Sequence, residues 1–189
     1  MVEFRNIEKS FDKKPILSQF SLVLDQGTFT VLMGESGRGK TTLLRIAAGL
    51  EKIDGGEFIS DERIAVMFQE PRLLPWKNAK DNVCAVLKKE HFPLADKYLA
   101  AVGLEEDGDK YPHELSGGMA QRVAFARFLA FAEATEATLL LLDEPFSALD
   151  DGTAERMISL LKENSIGKTV LMVTHRSSDA EFADKIITL

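Results

Sequence analysis

The sequence predicts an α/β domain: a mostly parallel sheet with an antiparallel β part at the N-terminus and a small inserted helical subdomain. Three observations lead there. In the C-terminal half, apolar runs of strand length alternate with stretches of helical periodicity, the pattern of a parallel sheet covered on both faces. One of those runs, TLLLLD at 138–143, is apolar without interruption up to its terminal acid, as a strand buried on both faces requires. The segment TVLMGESGRGKTTLL at 30–44 passes from strand to glycine-rich loop to helix.

Taken in order, SQFSLVLDQGTFTVLMG at 18–34 alternates apolar and polar residues on both sides of Asp25-Gln26-Gly27, which reads as a hairpin turn between two strands. The second strand, Thr28–Met33, runs into Gly34, and TTLLRIAAGL continues as a helix with Gly49 as its C-cap. IAVMF at 64–68 is a further strand. From about Lys77 to Glu114 the composition changes: DNVCAVL and PLADKYLAAVGL carry helical periodicity, with Gly103 and Gly108 as breaks. Residues 77–114 therefore read as the inserted helical subdomain, and 1–76 with 115–189 as the α/β core of one domain spanning 1–189. A helix from about Gly118 follows, with AEATEAT (Ala132–Thr138) as its extended end. Then come the strand TLLLLD, a helix from about Thr153, the strand KTVLMVT, a short helix SSDAEFA and the strand KIITL, which is expected to be a poorly protected edge.

The bulk numbers exclude several functions. With 189 residues, 45% of them hydrophobic, the chain supports one well-packed domain. A net charge of −7 opposes an intrinsic nucleic-acid binder. The single cysteine, Cys84, excludes an internal disulfide, and its apolar neighbours suggest a buried structural thiol. No secretory leader opens the chain and no apolar run approaches the ~18 residues of a membrane span, so a soluble, cytosolic protein is expected.

GESGRGKT at 34–41 fits G-x-x-x-x-G-K-[ST] in full, between a strand and a helix, and identifies the sheet as that of a P-loop NTPase. Glycines let the backbone close around phosphate oxygens, and successive N–H groups form an anion nest. Gly34, Glu35, Ser36, Gly37, Arg38, Gly39, Lys40, Thr41 and the following Thr42 are thus the candidate nucleotide cradle. Lys40 would reach the β- and γ-phosphates of ATP, and the Thr41 hydroxyl would ligate Mg²⁺. Asp143 and Glu144, at the C-terminal end of TLLLLD, divide into a Mg²⁺ ligand (Asp143) and a general base on the attacking water (Glu144). Helix capping is the alternative for either acid. A second anion site is written in LSGGMAQR at 115–122, where a hydroxyl and two glycines (Ser116, Gly117, Gly118) open a helix.

GESGRGKT, Gln69 after a strand, LSGGMAQR, LLLLDEP, SALD at 147–150 and His175 after another strand occur in that order. The sequence resembles the ATP-binding cassette (ABC) ATPases from near residue 1 to 189. The resemblance implies that two cassettes pack head to tail, so Ser116, Gly117 and Gly118 would touch the partner's γ-phosphate. It further implies adenine stacking for Phe11, with an ordinary core position as the alternative. Gln69 would sense Mg²⁺ and the attacking water, His175 would contact the γ-phosphate, and Asp150 would cross the dimer interface. His91 and His113 have no such context and read as structural or exposed. The segment through AEATEAT is about one helical turn longer than usual in these ATPases and lacks their customary proline.

VMFQEPRLLPWKNAKDNV at 66–83 resembles the corresponding stretch of bacterial importers of the nitrate, sulfonate and taurine group. Such a protein is the ATP-hydrolysing subunit of an importer of a small anion or nutrient. Its implied partners are a second copy on ATP binding, a membrane permease and, indirectly, a solute-binding protein. It would sit peripherally on the cytoplasmic face of the membrane. Leu73, Leu74, Pro75 and Trp76 would form a groove for a permease helix, or else pack internally. Two competing readings are a soluble ABC ATPase acting on nucleic acid or ribosomes, and a P-loop kinase, which would not need LSGGMAQR.

Overall fold

The structure, a computed structural model, describes every residue of 1–189 except Ser36. Strand β1 (Val2–Phe11) pairs antiparallel with β2 (Lys14–Leu24) along their whole length, from Val2 opposite Leu24 to Phe11 opposite Lys14. The two-residue turn is Asp12-Lys13, with φ of 49° and 64°. Two successive positive φ values give a turn whose twist matches that of the paired strands. This is the hairpin of the chain, and the one expected around Asp25-Gln26-Gly27 does not form. After that turn the chain leaves the antiparallel sheet, and β3 (Phe29–Met33) enters a second sheet between two later strands. The physical reason is pairing capacity: one edge of β2 is taken by β1, and both edges of β3 are taken in parallel by other partners.

Helix α1 (Lys40–Ala47) follows the glycine loop; its C-cap is Ala48 rather than the expected Gly49, which follows in the left-handed region at φ 70°. Strand β4 (Gly55–Ile59) adds to β1, completing a three-stranded sheet of order β2-β1-β4. Strand β5 (Ile64–Met67) belongs to the parallel sheet, together with β6 (Leu139–Asp143), β7 (Thr169–Val173) and β8 (Lys185–Thr188), in the order β5-β6-β7-β3-β8. Every residue of β6 and of β7 is buried. Unbroken apolar runs therefore occupy the centre of the sheet, and β8 lies at its edge with Ile186 exposed.

Two compact units divide the chain: Met1–Val66 with Thr138–Glu144 and Ser165–Leu189, and Met67–Ala137 with Pro145–Asn164. The first unit holds both sheets around a core that includes Phe4, Leu32, Leu44, Leu141 and Leu171. A short helix, α6 (Ser177–Ala180), lies between β7 and β8.

The second unit is helical: α2 (Ala79–Cys84), α3 (Pro93–Ala101), α4 (Gly117–Ala134) and α5 (Asp151–Asn164). Asn78 caps α2 by accepting the Asp81 N–H at 2.7 Å. Helix α4 packs against α2 and α3, and its Phe125 meets Phe146 edge-to-face at 5.2 Å. Two expectations change here. Only Ala132–Ala134 of AEATEAT is helical. Glu136 turns left-handed at φ 49°, the Ala137 N–H reaches back to Ala132 O at 2.9 Å, and the buried Ala137 leads on to β6. Cys84 is partly buried rather than buried, because it ends a two-turn helix next to the exposed Ala85. Burial nonetheless raises its thiol pKa, which makes it a poor nucleophile. No helix among the described residues is long and apolar enough to cross a membrane.

Candidate nucleotide-binding site

The C-terminal ends of β3, β7 and β6 lie side by side in the parallel sheet, and each delivers a sequence-predicted group. Parallel strands all point the same way, so their following loops gather on one edge. β3 leads to Gly34–Gly39, β6 ends in Asp143 with Glu144 next, and β7 leads to Thr174 and His175.

In the glycine loop, Gly37 and Gly39 have φ of 83° and 91°, conformations that disfavour side chains. A Cβ on Gly39 would also lie 2.9 Å from both Ile16 Cγ2 and Leu17 Cδ2. Gly39 opens α1 and no side chain caps it, so the first N–H groups of that helix remain available to an anion. The Lys40 side chain is 5% exposed, and its Nζ donates to Gly34 O and Glu35 O, both at 2.7 Å. A buried ammonium folded over the loop in this way fits phosphate oxygens as acceptors. Arg38 donates to Glu35 at 3.0 Å in an exposed pair. Thr41 is exposed and Thr42 partly so. Ser36 lies outside the described residues.

Asp143 is 4% exposed. Burial pushes its carboxyl above the usual carboxylate range, the Thr41 hydroxyl that bonds it pulls the other way, and the Glu144 charge raises it further. A desolvated carboxylate joined to a hydroxyl is a donor set that suits a divalent cation. Glu144 adopts φ 44°, unusual for a residue with a side chain, while its N–H donates to Val173 O at 2.9 Å. Such strain persists where the surroundings fix it, and Glu144 Oε1 lies 2.8 Å from His175 Nε2. Among the described residues the helices are capped by residues other than Asp143 and Glu144.

Asp179 carries a role that sequence reading missed. It is buried on α6, and its Oδ2 accepts the Thr174 hydroxyl at 2.7 Å. Arg176 Nε lies 3.3 Å from its Oδ1. The two residues flanking His175 are therefore tied to one buried carboxylate. An acid three residues past an arginine in SSDAEFA was the available signal.

Phe11 ends β1, is 43% exposed, and carries the Lys9 ammonium 4.9 Å from its ring centre. It is not a core residue.

In the helical unit, Gln69 is exposed after β5. Ser116 caps α4 by accepting the Met119 N–H at 3.2 Å, with Gly117 exposed behind it. A Cβ on Gly118 would lie 3.5 Å from Leu149 Cδ2. Asp150 caps α5 through its Oδ1 to the Thr153 N–H at 2.9 Å, and that bond holds its carboxyl below the usual range. Helix capping, considered above for Asp143 and Glu144, thus belongs to Asp150. Trp76 is 71% exposed beside the exposed Pro75, so internal packing does not account for it. His91 is partly exposed, and His113 is exposed and stacks on Tyr111.

A family profile described as "ABC transporter" matches residues 17–147. Aliphatic sulfonates import ATP-binding protein SsuB 2 of Pseudomonas syringae pv. syringae is 43% identical over 192 residues, covering 100% of this chain and 69% of that protein. The protein of the same name from Paraburkholderia xenovorans is also 43% identical, over 194 residues, covering 100% and 76%. Among solved structures, the ATP-binding cassette MJ0796, as a post-hydrolysis dimer bound to ADP and Pi, superposes with a TM-score of 0.89. It shares 32% identity and is covered to 94% by the whole of this chain. A further structure, described as the dimeric MJ0796, a bacterial ABC transporter cassette, gives 0.88 at 31% identity. The strand-edge constellation, the LSGGMAQR helix start and these full-length likenesses agree, and the chain belongs to the ABC transporter family as an ATP-binding ATPase component.

Proposed function

We propose that this chain powers a bacterial importer, binding and hydrolysing ATP as two copies closed head to tail beneath a membrane permease. The observation that carries the chemistry is the shared edge of β3, β7 and β6, where the Lys40 loop, Asp143-Glu144 and His175 follow neighbouring parallel strands. In this reading Phe11 stacks on adenine, and the loop from Gly34 to Thr42 wraps the phosphates. Lys40 exchanges its two carbonyl partners for phosphate oxygens. Thr41 and Asp143 would hold Mg²⁺, with Gln69 as a further candidate ligand, and the ion would offset phosphate charge. Glu144 takes the proton of the attacking water, and the imidazole of His175 orients that carboxylate and contacts the γ-phosphate.

Ser116, Gly117 and Gly118 complete the opposite subunit's site, with Asp150 reaching across. Two anion-binding helix starts in one chain then have one explanation, since each cassette supplies a different half of each site. Residues 1–76 and 115–189 act as the catalytic core and 77–114 as the helical subdomain. The exposed Trp76 and Pro75 provide an apolar contact for the permease. The names of the relatives support an oxyanionic cargo such as an aliphatic sulfonate, delivered by a solute-binding protein, with the ATPase on the cytoplasmic face. A role on nucleic acid or ribosomes is not favoured: the net charge is −7, and the relatives above are named for import.

The test is product analysis. Purified protein with Mg²⁺ and ATP should release inorganic phosphate to water without a phosphoryl acceptor, and Glu144→Gln should slow this about 10²–10⁴-fold while ATP still binds. Phosphate passed to a small-molecule acceptor would instead identify a kinase.

A further inference from the structure

Gln121 occupies the LSGGMAQR segment, yet nothing above gives it work. Its side chain is 1% exposed on α4. An amide so deeply buried requires hydrogen bonds, because an unsatisfied one costs more than an apolar side chain of equal size. Gln121 Nε2 donates to Pro145 O at 2.6 Å and to Gln69 O at 3.3 Å. One acceptor belongs to the residue that follows Glu144, and the other to Gln69 itself. Six residues further along α4, Arg127 donates to Pro71 O at 2.6 Å and to Arg72 O at 3.2 Å. Burial lowers the pKa of that guanidinium, and Arg72 holds a positive φ of 44° in the gripped segment.

We propose that Gln121 is a positioning residue for hydrolysis, its amide fixing the signature helix to the backbone of Gln69 and to the backbone that leaves Glu144. Arg127 anchors the same Gln69–Arg72 segment and gives it a second fixed point on α4. A helix transmits displacement along its axis as a stiff element, and Gln121 is five residues from the Ser116 cap, about 7.5 Å along α4. A shift of Ser116 and Gly117 on meeting a partner's nucleotide therefore moves Gln69 and Pro145 together. An apolar residue would fill the same volume but would leave these two carbonyls free to move separately. The inference rests on the two-copy reading of the signature.

The test compares Gln121→Glu, equal in size but without N–H donors, and Gln121→Met, equal in length and apolar. Both are assayed beside the parent, Gln69→Ala and Glu144→Gln. Expected for the two Gln121 variants is a native melting transition, KM for ATP within about threefold of the parent, kcat lower by about tenfold or more, and a Hill coefficient for ATP reduced toward one. A packing role alone would leave kcat per folded molecule and the Hill coefficient unchanged. Folded variants with kcat within about twofold of the parent overturn the inference, as does loss of the fold in both. If Gln69→Ala and Glu144→Gln slow hydrolysis while the Gln121 variants do not, this inference alone fails. If Gln69→Ala and Glu144→Gln hydrolyse normally, the site reading falls and the inference with it.

Discussion

His175 Nε2 and Glu144 Oε1 meet at 2.8 Å, one from the loop after β7 and the other from the end of β6. Glu144 makes this contact from a backbone at φ 44°, an uncommon conformation for a residue with a side chain. If the two side chains act as a unit, their losses should not add. His175→Ala and Glu144→Gln should each lower the single-turnover rate by about 10²-fold or more, and the double variant should be little slower than the worse single one. Fully multiplicative losses in quench-flow would show that they act independently.

Asp143 gives a prediction of opposite sign for stability and for activity. Burial raises its folded-state pKa above the unfolded value. The stability tied to that shift is present below the unfolded pKa and is lost as pH rises through the folded value. At neutral pH the ionised carboxylate therefore burdens the nucleotide-free fold. Asp143→Asn should raise the melting temperature by a few degrees, at about 2–4 °C per kcal/mol for a chain of this size, while abolishing hydrolysis. The gain should shrink as pH falls into the acid range. Thermal scans across pH without nucleotide check the sign, and a lowered melting temperature at neutral pH would contradict it.

Asp179 carries the opposite expectation. It binds the Thr174 hydroxyl and faces Arg176 while almost wholly buried. Asp179→Ala should destabilise the fold by about 1–3 kcal/mol, since it removes the acceptor of the buried Thr174 hydroxyl. Hydrolysis should fall as well, because both neighbours of His175 lose their anchor. Denaturant titration together with kcat per folded molecule separates the two effects.

Trp76 is 71% exposed, and its indole has little folding work to do. Trp76→Ala should shift the melting temperature by no more than a few degrees, as expected for a surface substitution. Basal hydrolysis should be kept while binding to the permease weakens. In the parent, the single tryptophan should emit as a solvated indole and be readily quenched by acrylamide. A blue-shifted, protected emission would contradict the surface role.

The chemistry of this fold was more legible than its strand pairing. GESGRGKT, LLLLDEP and His175 are local patterns with direct physical meaning, and β3, β6 and β7 bring the residues near them to one sheet edge. The Asp25-Gln26-Gly27 turn misled because turn residues mark a change of direction but not which sheet receives the next strand. The true hairpin turn, Asp12-Lys13, lacks glycine and carries its two positive φ values on a carboxylate and an ammonium side chain. Gln121 was illegible for a different reason. Its importance lies in buried contacts to Pro145 and Gln69, which no spacing rule announces. Ser116 shows the converse case, a cap readable from sequence that serves α4 locally and leaves its wider role to experiment.

The measurement that bears most directly on the whole account is the mass of the Glu144→Gln protein by light scattering, with ATP or ADP. In the proposed head-to-tail pair neither half-site alone would satisfy the γ-phosphate, so ATP should stabilise the pair by mass action. The account predicts monomers without nucleotide, dimers with ATP and monomers with ADP. Adding Ser116→Arg places a bulky cation on the exposed N-cap of α4. That double variant should bind ATP in its own Lys40 loop nearly as before, yet remain monomeric. A dimer that survives Ser116→Arg, or ATP binding lost by the monomer, would contradict the claim that this helix start serves the other copy's nucleotide.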